Sequence, residues 1–139
     1  MTQEEKDLVL KDLSARWPYG VKGIITYDES NTTFTVEGID NNVLHLSDAE
    51  ECYVEDFKSY LRPMSSMTEE EKREYFSFIG GKRPFDCDFS AYPIEYKFVY
   101  EHDINSYIDW LNKHHFDYRG LIEKGLALEA PEGMYKPAM

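Results

Sequence analysis

The sequence predicts an α+β fold: a small antiparallel sheet with helices packed on one face. Three observations lead there. Between residues 21 and 46, three runs of β-type residues alternate with turns rich in Asp, Asn and Ser. Thr2 with Glu5, and Thr68 with Glu71, have the spacing of capping boxes that open helices. Ile104, Tyr107, Ile108 and Leu111 recur at i, i+3, i+4 and i+7, which places them on one face of a further helix.

The first capping box opens a helix over about residues 3–15, with Leu8 and Leu13 among its inward positions. Pro18 and Gly20 close the passage out of it. Strands are expected at Val21–Tyr27, Thr33–Ile39 and Val43–Leu46, joined by turns at Asp28–Thr32 and Asp40–Asn42. Phe34 and Val36 alternate with Thr33, Thr35 and Glu37, the pattern of a sheet with one wet face. Gly38 interrupts that alternation and marks a bulge. Residues 48–56, DAEECYVED, are dense in acids and carry no base. Acids bunched on a loop or helix start read as solvated surface rather than as a site for a hard cation.

Pro63 holds Arg62 in an extended conformation. The second capping box then opens a helix running to Ile79, stopped by Gly80-Gly81. Residues 82–93, KRPFDCDFSAYP, read as an ordered loop, and Ile94–Tyr100 as a strand. Asp103 caps the helix that follows, which ends near His114 and His115. Asp117 reads as a second N-cap, with Phe116 and Leu121 spaced as a hydrophobic staple for a short helix over 118–124. Gly125 supplies a left-handed stop, and Leu126–Ala130 continue as an extended segment. With no repeat, linker or break in composition, residues 1–139 read as a single domain.

Composition narrows the function classes. The chain has 27 acidic and 15 basic residues, a net charge of −12. That balance argues against direct nucleic-acid binding, which needs a cationic stripe, and against docking on an anionic membrane. It suits a basic protein partner or, as a lesser alternative, mimicry of nucleic acid. The charged N-terminus lacks the apolar run of a signal peptide, and two isolated cysteines cannot define a disulfide framework, so a cytoplasmic location is expected.

Two stretches carry a resemblance. LRPMSSMTEEEK at 61–72 and HHFDYRGLIEKGLALEAPEGMY at 114–135 resemble a set of small acidic proteins of gut Bacteroides-type bacteria and their phages or prophages. The resemblance runs the length of the chain. It implies a cytoplasmic protein of mobile-element origin and brings with it no activity, cofactor or catalytic residue.

The sharpest chemical constellation is His114, His115 and Asp117, with His102 as an optional further member; imidazoles and a carboxylate are the donors a transition metal takes. Adjacent histidines on a helix point about 100° apart, however, and a buried, hydrogen-bonded His115 with Asp117 as a cap accounts for the same residues. Cys52 and Cys87 are flanked by acids that disfavour a thiolate. No nucleophile elbow, Walker loop or dinucleotide fingerprint is present, so no catalytic residue and no cofactor are assigned. The leading expectation is therefore a non-enzymatic protein-interaction domain of phage or prophage origin. Tyr60, Arg62, Met64 and Met67, with Tyr92 and Tyr96, are its contact candidates, since Tyr, Arg and Met are enriched at interfaces. The alternative is a small metal-dependent enzyme built on His114, His115 and Asp117.

Overall fold

A computed structural model describes residues 1–77 and 104–135. The expected loop at 82–93, the strand Ile94–Tyr100 and the Asp103 cap lie outside the described residues. Within them the fold is α+β, built on a six-stranded, mostly antiparallel sheet.

Helix α1 spans Gln3–Arg16 and opens on the expected capping box: the Thr2 hydroxyl accepts from the Glu5 amide, and the Glu5 carboxylate accepts from the Thr2 amide. Strands β1 (Lys22–Ile25), β2 (Phe34–Asp40), β3 (Val43–Leu46) and β4 (Glu51–Tyr53) form an antiparallel meander. After a 3-10 turn at Val54–Asp56, strand β5 (Phe57–Leu61) returns to pair with β1. Strand β6 (Ala127–Glu129) closes the sheet, parallel to β5, giving the order β4-β3-β2-β1-β5-β6.

The long strand β2 joins the two halves of the sheet. Its start pairs with β1, and its remainder with β3 across a register shift between Val36 and Gly38, the expected bulge. The close approach of β1 to β5 requires glycine at position 23. A Cβ there would overlap the Lys58 carbonyl oxygen and the Phe57 ring. Inward positions alternate along the strands, so that Phe34, Val36, Leu44, Leu46, Phe57 and Leu61 are buried with Val9 and Leu13 of α1. Burial of such side chains contributes about 1.5–3 kcal/mol each.

Helices α2 (Glu69–Ser77) and α3 (Ile104–Lys113) flank a second, aromatic cluster. Tyr75, Trp110 and Phe116 are buried there, with ring centroids of Trp110 at 5.7 Å from Tyr75 and 5.6 Å from Phe116. Helix α3 ends in a Schellman motif: the Phe116 amide donates to Leu111 O (2.9 Å) and the His115 amide to Asn112 O (3.1 Å). His115 takes the left-handed position, φ 62°. The short helix expected over 118–124 does not form. Gly120 at φ 74° breaks the helical backbone, and the segment folds as successive turns that end in a second Schellman motif at Gly125, also at φ 74°.

Two buried charge clusters meet at this junction. Arg62 makes a two-pronged pair with Glu71, each N···O distance 2.7 Å, and its guanidinium lies 4.1 Å from the Phe116 ring centroid. Glu71 also completes the capping box of α2 by accepting from the Thr68 amide. Asp12 is held between Arg16 Nε (2.9 Å) and Arg119 Nη1 (2.6 Å), while Arg16 Nη2 donates to the Phe116 carbonyl. An unpaired buried charge is costly, whereas apolar residues of similar size often replace the whole pair. Glu71→Leu should therefore destabilise the protein by about 3–5 kcal/mol in urea unfolding, and Arg62→Met added to it should restore most of the loss. Equal damage from the single and double variants would contradict this account.

Candidate functional site

The three residues of the expected metal constellation are each engaged elsewhere. The Asp117 carboxylate accepts from the Leu121 and Ile122 amides, both at 2.9 Å, and so organises the turns that follow it. His114 packs on the Trp110 indole, centroids 4.7 Å apart, where burial lowers its pKa. His115 is almost wholly buried; its Nε2 lies 3.1 Å from the Tyr19 carbonyl and its ring 4.1 Å from that of Tyr135. A carbonyl only accepts, so Nε2 carries the proton. Among the described residues no group of three or more His, Cys, Asp or Glu converges as a metal site. His102 lies outside them.

His115 is a structural wedge with an exacting environment. Its left-handed backbone costs roughly 1–2 kcal/mol for a residue other than glycine, and the ring fills the space between Tyr19 and Tyr135. Burial, reinforced by the Arg16 charge, pushes its pKa down to about 3.

The contact candidates separate by burial. Met67 is buried, and Arg62 is taken up by Glu71, so both pack the domain instead of presenting a surface. Tyr60 and Met64 are partly exposed, and the Tyr60 carbonyl accepts from the Tyr135 hydroxyl. Tyr92 and Tyr96 lie outside the described residues. A depression of about 510 Å³ runs beside this segment, lined by Arg62, Ser66, Thr68, Glu129, Glu132 and Tyr135 among others. Its central donors are satisfied internally. Arg62 is bound to Glu71, and the Tyr135 hydroxyl bridges the Lys22 amide and the Tyr60 carbonyl.

A different face carries the exposed aromatics. Tyr27, just past β1, and Tyr53, at the end of β4, are 66% and 58% exposed, more than Trp17 or Tyr19. Tyr27 and Tyr53 share a depression of about 250 Å³ with Val43, Glu51 and Cys52. On its other side Tyr27 borders a second depression of about 440 Å³, lined by Ile25, Asp28, Glu29, Phe34 and Glu50. Among the described residues, four carboxylates line the two hollows and no basic residue does. His45 approaches Glu51 at 3.8 Å from the neighbouring strand.

The backbone beneath this face is well anchored. The Thr26 amide donates to Asp56 O (2.8 Å), and Asp28 Oδ1 accepts from both the amide and the hydroxyl of Ser30. Cys52 lies inward, and burial first, then Asp56 and Glu55, raises its thiol pKa to about 11, so it contributes no nucleophile. By composition residues 48–56 read as solvated acids, which does not single out Tyr53. The missed signal is strand phase: with Cys52 inward, Glu51 and Tyr53 point out together.

Compared with protein-family models, with curated proteins and with solved structures, the chain matches none. No helix of the described residues is long and apolar enough to cross a membrane.

The His115 environment has a pH consequence. The unfolded imidazole takes a proton near pH 6.5 and the folded one only near 3. Stability gained from the neutral ring is thus complete above pH 6.5 and declines as pH falls from there toward 3, by up to about 1.4 kcal/mol per pH unit. His115→Asn, whose side chain tolerates the left-handed backbone, should flatten the fall of unfolding free energy with pH in that window. An unchanged slope would contradict the assignment.

Proposed function

We propose that this protein is a non-enzymatic interaction domain that docks a protein partner on the face formed by Tyr27 and Tyr53. The observation that carries the reading is two highly exposed tyrosines sharing one hollow on an anchored part of the sheet. Tyrosine supplies large contact area at low entropic cost, and an ordered surface loses little freedom on binding. The face replaces the Tyr60–Met67 segment as the contact region, because Arg62 and Met67 are occupied in packing. A cytoplasmic protein carried by a phage or prophage fits this role, as does the acidic charge, which disfavours nucleic acid as the direct ligand.

Affinity capture tests the reading. A stoichiometric protein partner held by the unaltered chain should be lost with Tyr27→Ala/Tyr53→Ala while circular dichroism stays the same. Both side chains are exposed, so their removal should change folding stability by less than about 1 kcal/mol. A partner retained by that variant but lost with Tyr60→Ala/Met64→Ala would overturn the assignment.

A further inference from the structure

Building on the docking reading, we propose that the occupant of the Tyr27–Tyr53 face is an extended, basic segment of a partner chain. One Lys or Arg of that segment sits in the Asp28–Glu29–Glu50 hollow, and an apolar side chain two residues along, on the same side of the extended chain, sits in the Tyr27–Val43–Tyr53 hollow.

Three features of the face select this ligand. The first is charge complementarity: the larger hollow places Asp28, Glu29 and Glu50 around an apolar floor of Ile25 and Phe34. Such a site suits a long side chain whose methylene stem lies on apolar surface while its cationic head meets carboxylates. Tyr27 lines the same hollow and adds an aromatic ring, a group that attracts cations. The second is the division into two small hollows that share one tyrosine, which fits alternate side chains (i and i+2) of an extended strand, since these point to the same side, better than a helix face. The third is position: among the described residues β4 is the outermost strand on its side of the sheet, and Glu51 and Tyr53 project from it, so an extended segment can run alongside. Glu51 beside the smaller hollow, with the three carboxylates of the larger one, keeps the surface soluble when empty and excludes acidic segments.

The test uses the full chain and synthetic peptides followed by fluorescence anisotropy. The probe is a short peptide in which one arginine and one leucine stand two residues apart, with serine between them, in serine–glycine flanks. Counterparts carry glutamine for arginine or serine for leucine, and polylysine is the control for unspecific charge attraction. Saturable binding of the first peptide is expected, weakened about tenfold or more by either replacement in the peptide and by raising salt to about 0.5 M. Combined Asp28→Asn, Glu29→Gln and Glu50→Gln should weaken it similarly; asparagine at 28 can still accept from Ser30, so the turn is kept. Tyr53→Ala should also weaken it.

Equal binding of the glutamine peptide, or indifference to the three neutralised carboxylates, would overturn the cationic assignment while leaving the docking face intact. Binding of polylysine as tight as that of the probe, without dependence on leucine, would overturn the two-hollow assignment. Absence of peptide binding, with a captured partner still dependent on Tyr27 and Tyr53, would overturn the extended basic segment alone. Loss of that dependence as well would overturn the docking reading itself.

Discussion

Phe116 is the point at which the described parts of this protein are tied together. Its carbonyl accepts from Arg16, its amide closes the end of α3 on Leu111, and its ring lies against Arg62 and Trp110. The flanking backbone is fixed from the sheet side: the Arg62 amide donates to His115 O and the Asp117 amide to Arg62 O, both at 2.8 Å. One residue thus links α1, the end of β5 and α3. The arrangement demands buried cations, and each is matched, Arg62 by Glu71 and Arg16 by Asp12. Buried charge is poor glue in net energy but severe in what it forbids. Displacing any of these elements would strand a guanidinium or a carboxylate away from water.

The same junction explains the behaviour of its histidines. His115 must turn the chain out of α3 with a left-handed backbone and fill space beneath Tyr19, so it sits where glycine would be the easier choice. Neutrality of the ring follows from burial beside Arg16, not from any role in proton transfer. With Asp117 spent on the amides of Leu121 and Ile122, the three residues most suggestive of chemistry in the sequence are parts of a corner.

Much of the architecture was legible in local rules. The capping boxes at Thr2 and Thr68, the three-stranded meander, the bulge at Gly38 and the left-handed stop at Gly125 all follow from neighbours within a few residues. What escaped depends on contacts distant in sequence. Asp12 and Arg16 look like surface residues of an acidic helix until Arg119 and the Phe116 carbonyl, about a hundred positions away, are brought beside them. Arg62 reads as an interface residue until Glu71 is seen folded back on it. Gly120 breaks a helix that the staple spacing of Phe116 and Leu121 favours, and its left-handed backbone is visible only in the fold. For the candidate site the difficulty was phase. Tyr53 lies in a three-residue strand set in an acid-rich stretch that hides its alternation, and only the inward Cys52 shows which way the tyrosine faces.

The central functional claim is that a partner covers the face made by the β1–β2 loop and β4. Hydrogen–deuterium exchange of the chain with and without its captured partner reads that face directly. Added protection at residues 26–31 and 50–54, with the 62–68 and 129–135 segments unchanged, is the predicted footprint. Protection confined to 62–68 and 129–135 would place the partner over the depression beside Arg62 and contradict the account.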